Sequence, residues 1–241
     1  MPTESAASLA EPEPGSVALQ LIVLGGGQHA RVVVDAARSG SGPWQVRGFV
    51  APAIGTWHEL PWLGDDEALL ARLAGLPVGD RPALVLGFGG GESPPSLATR
   101  TGVADGFPRD ARWATVIHAT AWVAPGATIE PGAVVLAHAV VNHGAHIERH
   151  AIVNSGAIVE HDVTVGAGSH IAPGAVIGGG ARIGQHTFIG LGARIRDRVK
   201  IGDGVVVGMG AVVVKSVADG AQVVGIPART AAPPHTDGTP R

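Results

Sequence analysis

The chain has 241 residues, a net charge of −3 and 45% hydrophobic residues, enough for one large domain or two modest ones and too apolar for a disordered polymer. The near-neutral charge gives no basis for a nucleic-acid or membrane partner, and the absence of cysteine excludes disulfides, thiolate zinc sites and a cysteine-linked acyl intermediate. With 37 glycines, no tyrosine and 4% aromatic residues, the core must be built from small and aliphatic side chains in tightly repeated positions rather than from aromatic volume.

Residues 1–17 carry acidic residues and prolines where a secretory leader is basic and then apolar. They are expected to form a disordered tail, and the protein to be cytoplasmic. No apolar run reaches the roughly 18 residues that a spanning helix needs. Residues 18–110 read as a small α/β domain. A strand over Leu19–Leu24 runs into Gly25-Gly26-Gly27-Gln28-His29-Ala30, followed by a helix over Ala30–Ser39, a strand over Val46–Val50, a helix over Asp65–Leu73 and a strand over Ala83–Gly87. That alternation predicts a parallel sheet. Gly25-x-Gly27-x-x-Ala30 matches the strand–turn–helix fingerprint in which backbone amides at a helix start meet a phosphate. Gly25, Gly26, Gly27, Gln28 and His29 are therefore the candidate acceptor-binding turn. The length allows only half of a dinucleotide fold, and Val50-Ala51-Pro52 ends the second strand without the acidic residue of that fold. A plain tight turn, with His29 making local hydrogen bonds, fits the same residues.

Residues 111–229 follow another rule. From Ile117 to Val213 a Val or Ile recurs at every sixth position without a slip of phase. Four positions after each, from Ala121 to Ala211, stands a small or β-branched residue. A period of six fits neither an amphipathic helix nor a hairpin sheet. Three hexapeptides close one triangular coil, and coils stacked about 4.8 Å apart satisfy each other's backbone groups. Glycines at the corners (Gly166, Gly178, Gly184, Gly190, Gly202 and Gly208) are expected to supply positive φ. Residues 230–241 are expected to form a second disordered tail.

The repeat, closed by Gly225-Ile226-Pro227-Ala228-Arg229, resembles the hexapeptide-repeat acyltransferases. The half-sized α/β domain before it narrows the resemblance to the sugar-nucleotide amine N-acetyltransferases of bacillosamine and perosamine biosynthesis, with sialic acid O-acetyltransferases as cousins. The resemblance covers residues 18–229. It implies a half-Rossmann-like domain joined to a left-handed parallel β-helix, a homotrimer, acetyl-CoA as co-substrate, no metal, and the amine of a nucleotide-linked amino sugar as acceptor. In this family a corner of the form hydrophobic–Glu/Asp–His–Glu/Asp carries the catalytic histidine, and here it reads Val159-Glu160-His161-Asp162. Asn142, Asn154 and the pair Ser169-His170 also match polar corner positions. Gly190, Ala193, Gly208 and Ala211 would line the CoA groove, with Arg229 and the run Arg194, Arg196, Arg198 and Lys200 near the CoA phosphates. Two places depart from the pattern. Val50-Ala51-Pro52 stands for the Asp residues after the second strand, and Gly87-Phe88-Gly89-Gly90-Gly91-Glu92 for a Gly-Asp-Asn segment.

Acyl transfer from a thioester needs a base for the nucleophile's proton and donors for the oxyanion. Histidine suits the first task, and a carboxylate on its other ring nitrogen fixes the tautomer. Asp162 is the expected partner of His161, and Glu160 its competitor. His143 precedes His161 by three hexapeptides and should stack on the same corner. His143 and His170 are candidates for acceptor contacts or oxyanion donors, as are Asn142 and Asn154. His118, His138, His146, His150 and His186 are expected to be solvated or interfacial. Three other readings remain open. One is acylation of a non-nucleotide sugar or natural-product acceptor on N or O. Another is a γ-class carbonic anhydrase, for which His138 and His143 are present while Phe107 stands where the third zinc ligand would be. The last is a non-catalytic binding module.

Overall fold

The computed structural model describes residues 19–40, 42–53, 57, 59–90 and 94–231, so the tail expected at residues 1–17 and most of that at 230–241 lie outside it. The first half is built from β1 (Leu19–Leu24), α1 (Gln28–Ser39), β2 (Trp44–Val50), α2 (Asp66–Ala74), β3 (Ala83–Leu86) and α3 (Pro94–Asp105). The strands form a parallel sheet in the order β2-β1-β3. β1 is central because its last four residues are buried on both faces, as expected of a parallel core strand. α2 starts where the Asp65 carboxylate accepts the Ala68 N–H at 2.9 Å, an N-cap. α3 was not anticipated. Leu84 N–H donates to Arg112 O and Ala114 N–H to Leu84 O, both at 2.8 Å, which ties residues 112–114 to the sheet just before the repeat begins.

From Val116 onward, two-residue strands alternate with corners and stack into three parallel sheets, one on each face of a prism. Register is kept by three-hexapeptide steps, as in Val134↔Ile152↔His170. The second residue of each strand points inward, so Val135, Val153, Ile171 and Ile189 share one buried core with Ala133, Ala151 and Ala193. Each inward Val or Ile contributes about 1.5–3 kcal/mol by leaving water, and the neighbouring Ala leaves room for the chain to turn. Ser169 and Thr187 replace Ala in that core without orphaned hydroxyls. Ser169 Oγ donates to Gly184 O at 2.6 Å and Thr187 Oγ1 to Gly202 O at 2.8 Å.

The outward residues give the three faces different fates. On the first face Val116 and Val134 pack against Val33, Val34 and Ala37 of α1, and Phe188 packs against Leu97 of α3. The α/β half therefore sits on this face. The third face (Thr128, His146, Thr164, Arg182, Lys200) is polar. The second face presents Trp122, Val140, Ile158 and Val176, then Arg194, then Val212, a mostly apolar row that none of the described residues covers fully, and Trp122 is 59% exposed.

Positive φ falls elsewhere than expected. Left-handed residues recur at every sixth position from Gly132 to Gly210, and His138, His150, Asp162, His186 and Arg198 are among them. Gly166, Gly178, Gly184, Gly190, Gly202 and Gly208 each stand two residues earlier and are not left-handed. They meet a spatial requirement instead. A Cβ on Gly190 would lie 2.6 Å from Val207 O, and one on Gly166 2.6 Å from Gln185 N.

Candidate active site

His161 stands on the corner between the second and third faces, after the strand Ile158–Val159. Asp162 adopts φ 59°, a left-handed conformation that Asp tolerates better than most residues. Its carboxylate turns back so that Oδ2 lies 3.0 Å from His161 Nδ1. Glu160 is otherwise engaged: its Oε2 accepts the His161 backbone N–H at 3.2 Å. Of the two competing carboxylates, Asp162 thus holds the ring. With Nδ1–H donating to Asp162, the free lone pair sits on Nε2. Nε2 faces Gly179 one coil further on, where a Cβ would lie 2.5 Å from it. The His161 side chain is 64% exposed, so the structure presents its basic atom outward.

Gly179 is a residue that the sequence did not single out. At this corner register the backbone N–H falls outside the coil ladder, and a side-chain acceptor caps it at some corners but not at others, such as His143, Leu191 and Asp197. Glu130 caps the Arg149 N–H at 3.0 Å, and Glu148 caps the Ala167 N–H at 2.9 Å. Glu160 occupies the equivalent place below Gly179 but turns to its own neighbour, and Gly178 has no side chain to help. Among the described residues the Gly179 N–H has no acceptor. An open amide beside the basic nitrogen of a histidine is a candidate oxyanion donor.

His143 and His161 share a corner, since Asp162 N–H donates to His143 O at 3.1 Å. Their rings nevertheless diverge. His143 folds back over Gly126 of the preceding coil, and His161 reaches forward over Gly179. Asn142 is half-buried beside them.

His170, Asn154 and His29 belong to a different place, the junction between the first face and the α/β half. Ser155 N–H donates to Asn154 Oδ1 at 2.7 Å, which identifies that atom as oxygen. Asn154 Nδ2 must then donate to His170 Nε2 at 2.9 Å, and His170 Nδ1–H to Gly89 O at 3.2 Å. His170 is 7% exposed, with both nitrogens occupied. It is a strut between the halves rather than a free donor. Among the described residues His29 Nε2 finds no partner, and its ring lies 6.3 Å from that of His170. His150, expected at the surface, is 4% exposed and packs edge-on against Trp113. Arg100 is completely buried near all three. Burial, aided by the Arg100 charge, lowers His29 and His150 to about 4, with Arg149 also acting on His150. Burial, then His29 and Arg100, lowers His170 to about 3 against the opposing bond to Gly89. Burial brings Arg100 itself down to about 9.

The glycine turn faces this junction. Gly25 has φ 110°, and a Cβ there would meet Phe88 at 2.9 Å, so the turn after β1 and the loop after β3 face each other. Gly26 is closed by Phe49 at 2.8 Å, whereas a Cβ on Gly27 meets nothing within 4 Å. Gly27 is the N-cap of α1 and supplies no side-chain cap, leaving amide donors at Gln28 and His29. This crevice lies at the carboxyl ends of parallel strands where the order reverses, the usual ligand position in such sheets.

The four residues expected to line a CoA groove are differently disposed. Ala193 and Ala211 point into the prism core and are fully buried. The N–H groups of Gly190, Ala193, Gly208 and Ala211 are all spent inside the coils, so none is available as a donor to a ligand. What that end does offer is exposed Arg194, Arg196, Arg198 and Lys200. It also holds a recess of about 340 Å³ lined by Lys215, Ser216, Arg229 and the apolar mouth of the prism.

The family model for bacterial transferase hexapeptide repeats (six repeats) matches residues 144–179 and 180–215. No match is found among curated protein sequences. Among solved structures, the acetyltransferase domain of PglB from Neisseria gonorrhoeae is 32% identical, with a TM-score of 0.78 over 88% of this chain and 99% of that one. The same domain in complex with acetyl coenzyme A aligns with the same identity and TM-score. A histidine-to-asparagine mutant of perosamine N-acetyltransferase from Caulobacter crescentus, in complex with CoA and GDP-perosamine, is 30% identical, with a TM-score of 0.79 over 89% of this chain and 97% of that one.

Proposed function

The chain belongs to the hexapeptide-repeat family of bacterial acyltransferases, and from that premise we propose that it moves an acetyl group from acetyl-CoA to the amine of a nucleotide-linked amino sugar, with His161 as general base. The observation that carries this is the His161 corner. There Asp162 holds Nδ1, and Nε2 stands beside the open N–H of Gly179. In the reaction the neutral amine attacks the thioester carbonyl carbon, and a C–N bond forms. His161 Nε2 takes the amine proton while Asp162 stabilises the imidazolium. The negative charge on the carbonyl oxygen falls to the Gly179 N–H. Collapse breaks the C–S bond, and the proton on His161 passes to the CoA thiolate. A positioned base of this kind is worth roughly 10²–10⁴-fold. Arg194, Arg196, Arg198, Lys200 and Arg229 are the cations suited to the CoA phosphates, taking over from the four inward or satisfied residues above.

The same geometry supports an oligomer, and with the resemblance we propose a homotrimer. His161 lies on the corner opposite the face that carries the α/β half, so a single chain does not bring its crevice to its own base. Chains packed through the apolar second face would bring a neighbour's crevice there. With it we propose the left-handed coil of the resembled enzymes and an acceptor role for the α/β half. Acetyl transfer to a non-nucleotide amine is the second reading, motivated by the missing acidic residue after β2. Incubating the protein with acetyl-CoA and a panel of nucleotide-linked and free amino sugars, with free thiol as the signal, separates them. Thiol release only with nucleotide-linked amines is expected, whereas release only with free amines would overturn the acceptor assignment.

A further inference from the structure

The carbonyl of each left-handed corner residue takes no part in the coil ladder. At exposed corners water can satisfy it. The His150 corner is buried, so a donor must come from the protein. It comes from α3: Arg100 Nη1 donates to His150 O, and Arg100 Nε donates to Phe88 O at 2.8 Å. One guanidinium therefore joins a β-helix carbonyl to a carbonyl of the loop after β3. The planar fork suits two acceptors on separate elements, and the point charge of a lysine does not. No carboxylate pairs with Arg100 among the described residues, and its Nη2 has no acceptor. A buried, unpaired cation is costly to keep for packing alone.

A second tie runs parallel to it. The chain Ser155 N–H to Asn154, Asn154 to His170 and His170 to Gly89 O ends on the same loop. It requires a neutral His170, because a protonated Nε2 cannot accept from Asn154. Burial keeps that ring neutral, with His29 and then Arg100 adding to the effect.

We propose that Arg100 and His170 are positioning residues which together fix the Gly87–Gly90 loop, one wall of the acceptor crevice, on the first face of the β-helix and so set where the acceptor amine is presented. The kinetic part rests on the acceptor reading given above, and the docking part does not.

The test uses the full chain with Arg100→Lys, Arg100→Met, His170→Leu and His170→Gln. Hydrogen exchange at Gly87, whose N–H donates to Leu24 O at 2.7 Å at the base of the loop, should quicken at least tenfold in the first three, with the inner coils unchanged. In calorimetry the α/β half should melt ahead of the β-helix rather than with it. The acceptor KM should rise about tenfold or more while the acetyl-CoA KM stays put. His170→Gln, which keeps one donor and one acceptor, should recover most of the protection. Unchanged exchange in Arg100→Lys and His170→Leu would overturn the docking, and these two variants decide the matter even if Arg100→Met fails to fold. Faster exchange with an unchanged acceptor KM would overturn the positioning role and leave a structural one. A wild type that turns over no amino-sugar nucleotide would refute the acceptor reading, and exchange would still decide the docking.

Discussion

Acid should loosen this protein through His29, His150 and His170. Their folded values of about 4, about 4 and about 3 lie below the ordinary histidine value of 6.5. The unfolded chain therefore binds protons that the folded chain refuses. Stability is complete above pH 6.5 and is lost as pH falls from there toward 4. Between pH 7 and pH 5.5 each such histidine removes about 1.3 kcal/mol, and the three together about 4 kcal/mol. Against a domain stability of about 5–15 kcal/mol, that loss is easily measured. Urea titrations at pH 7.0, 6.5, 6.0 and 5.5 stay above the range where carboxylates add their own protons. His170→Gln and His150→Phe do not titrate, so each should remove about a third of the slope even where it lowers stability at pH 7. An unchanged slope in both variants would refute the claim that these buried neutral histidines carry the effect.

Gly179→Ala should fold normally, since Gly179 is not left-handed, yet its Cβ would displace the His161 ring; a kcat reduced about tenfold or more at constant melting temperature is expected. A Cβ added at Gly27 meets no atom within 4 Å, so in Gly27→Leu the melting temperature should hold while the acceptor KM rises and the acetyl-CoA KM does not. Ile158→Glu places a charge in the middle of the apolar second face, and light scattering should find trimers for the parent and smaller species for the variant.

The β-helix was readable because its core position recurs every six residues, so each coil restates the same packing problem. The α/β strands were readable for a related reason, as Leu19–Leu24 and Ala83–Leu86 are apolar runs flanked by glycine. Corner glycines misled because two demands share the six-residue period: left-handed backbone at positions such as Gly180 and Gly192, and close approach at Gly178 and Gly190. The Glu160–His161–Asp162 corner stood out as a motif, but choosing between its carboxylates needed the turn that Asp162 makes. Gly179 left no trace in the sequence, since its open amide depends on which way Glu160 points. Arg100 was equally silent: it lies in a helix outside the repeat, and its partners are carbonyls, which every residue has. Ala193 and Ala211 occupy the small-residue positions that the repeat itself sends inward.

The most direct test of the account is the steady-state rate of His161→Ala with acetyl-CoA and the amino-sugar nucleotide that the wild type prefers. The account predicts a kcat lower by two orders of magnitude or more, an unchanged acetyl-CoA affinity and melting temperature, and a smaller loss for Asp162→Asn. A His161→Ala enzyme retaining near-full turnover would contradict it.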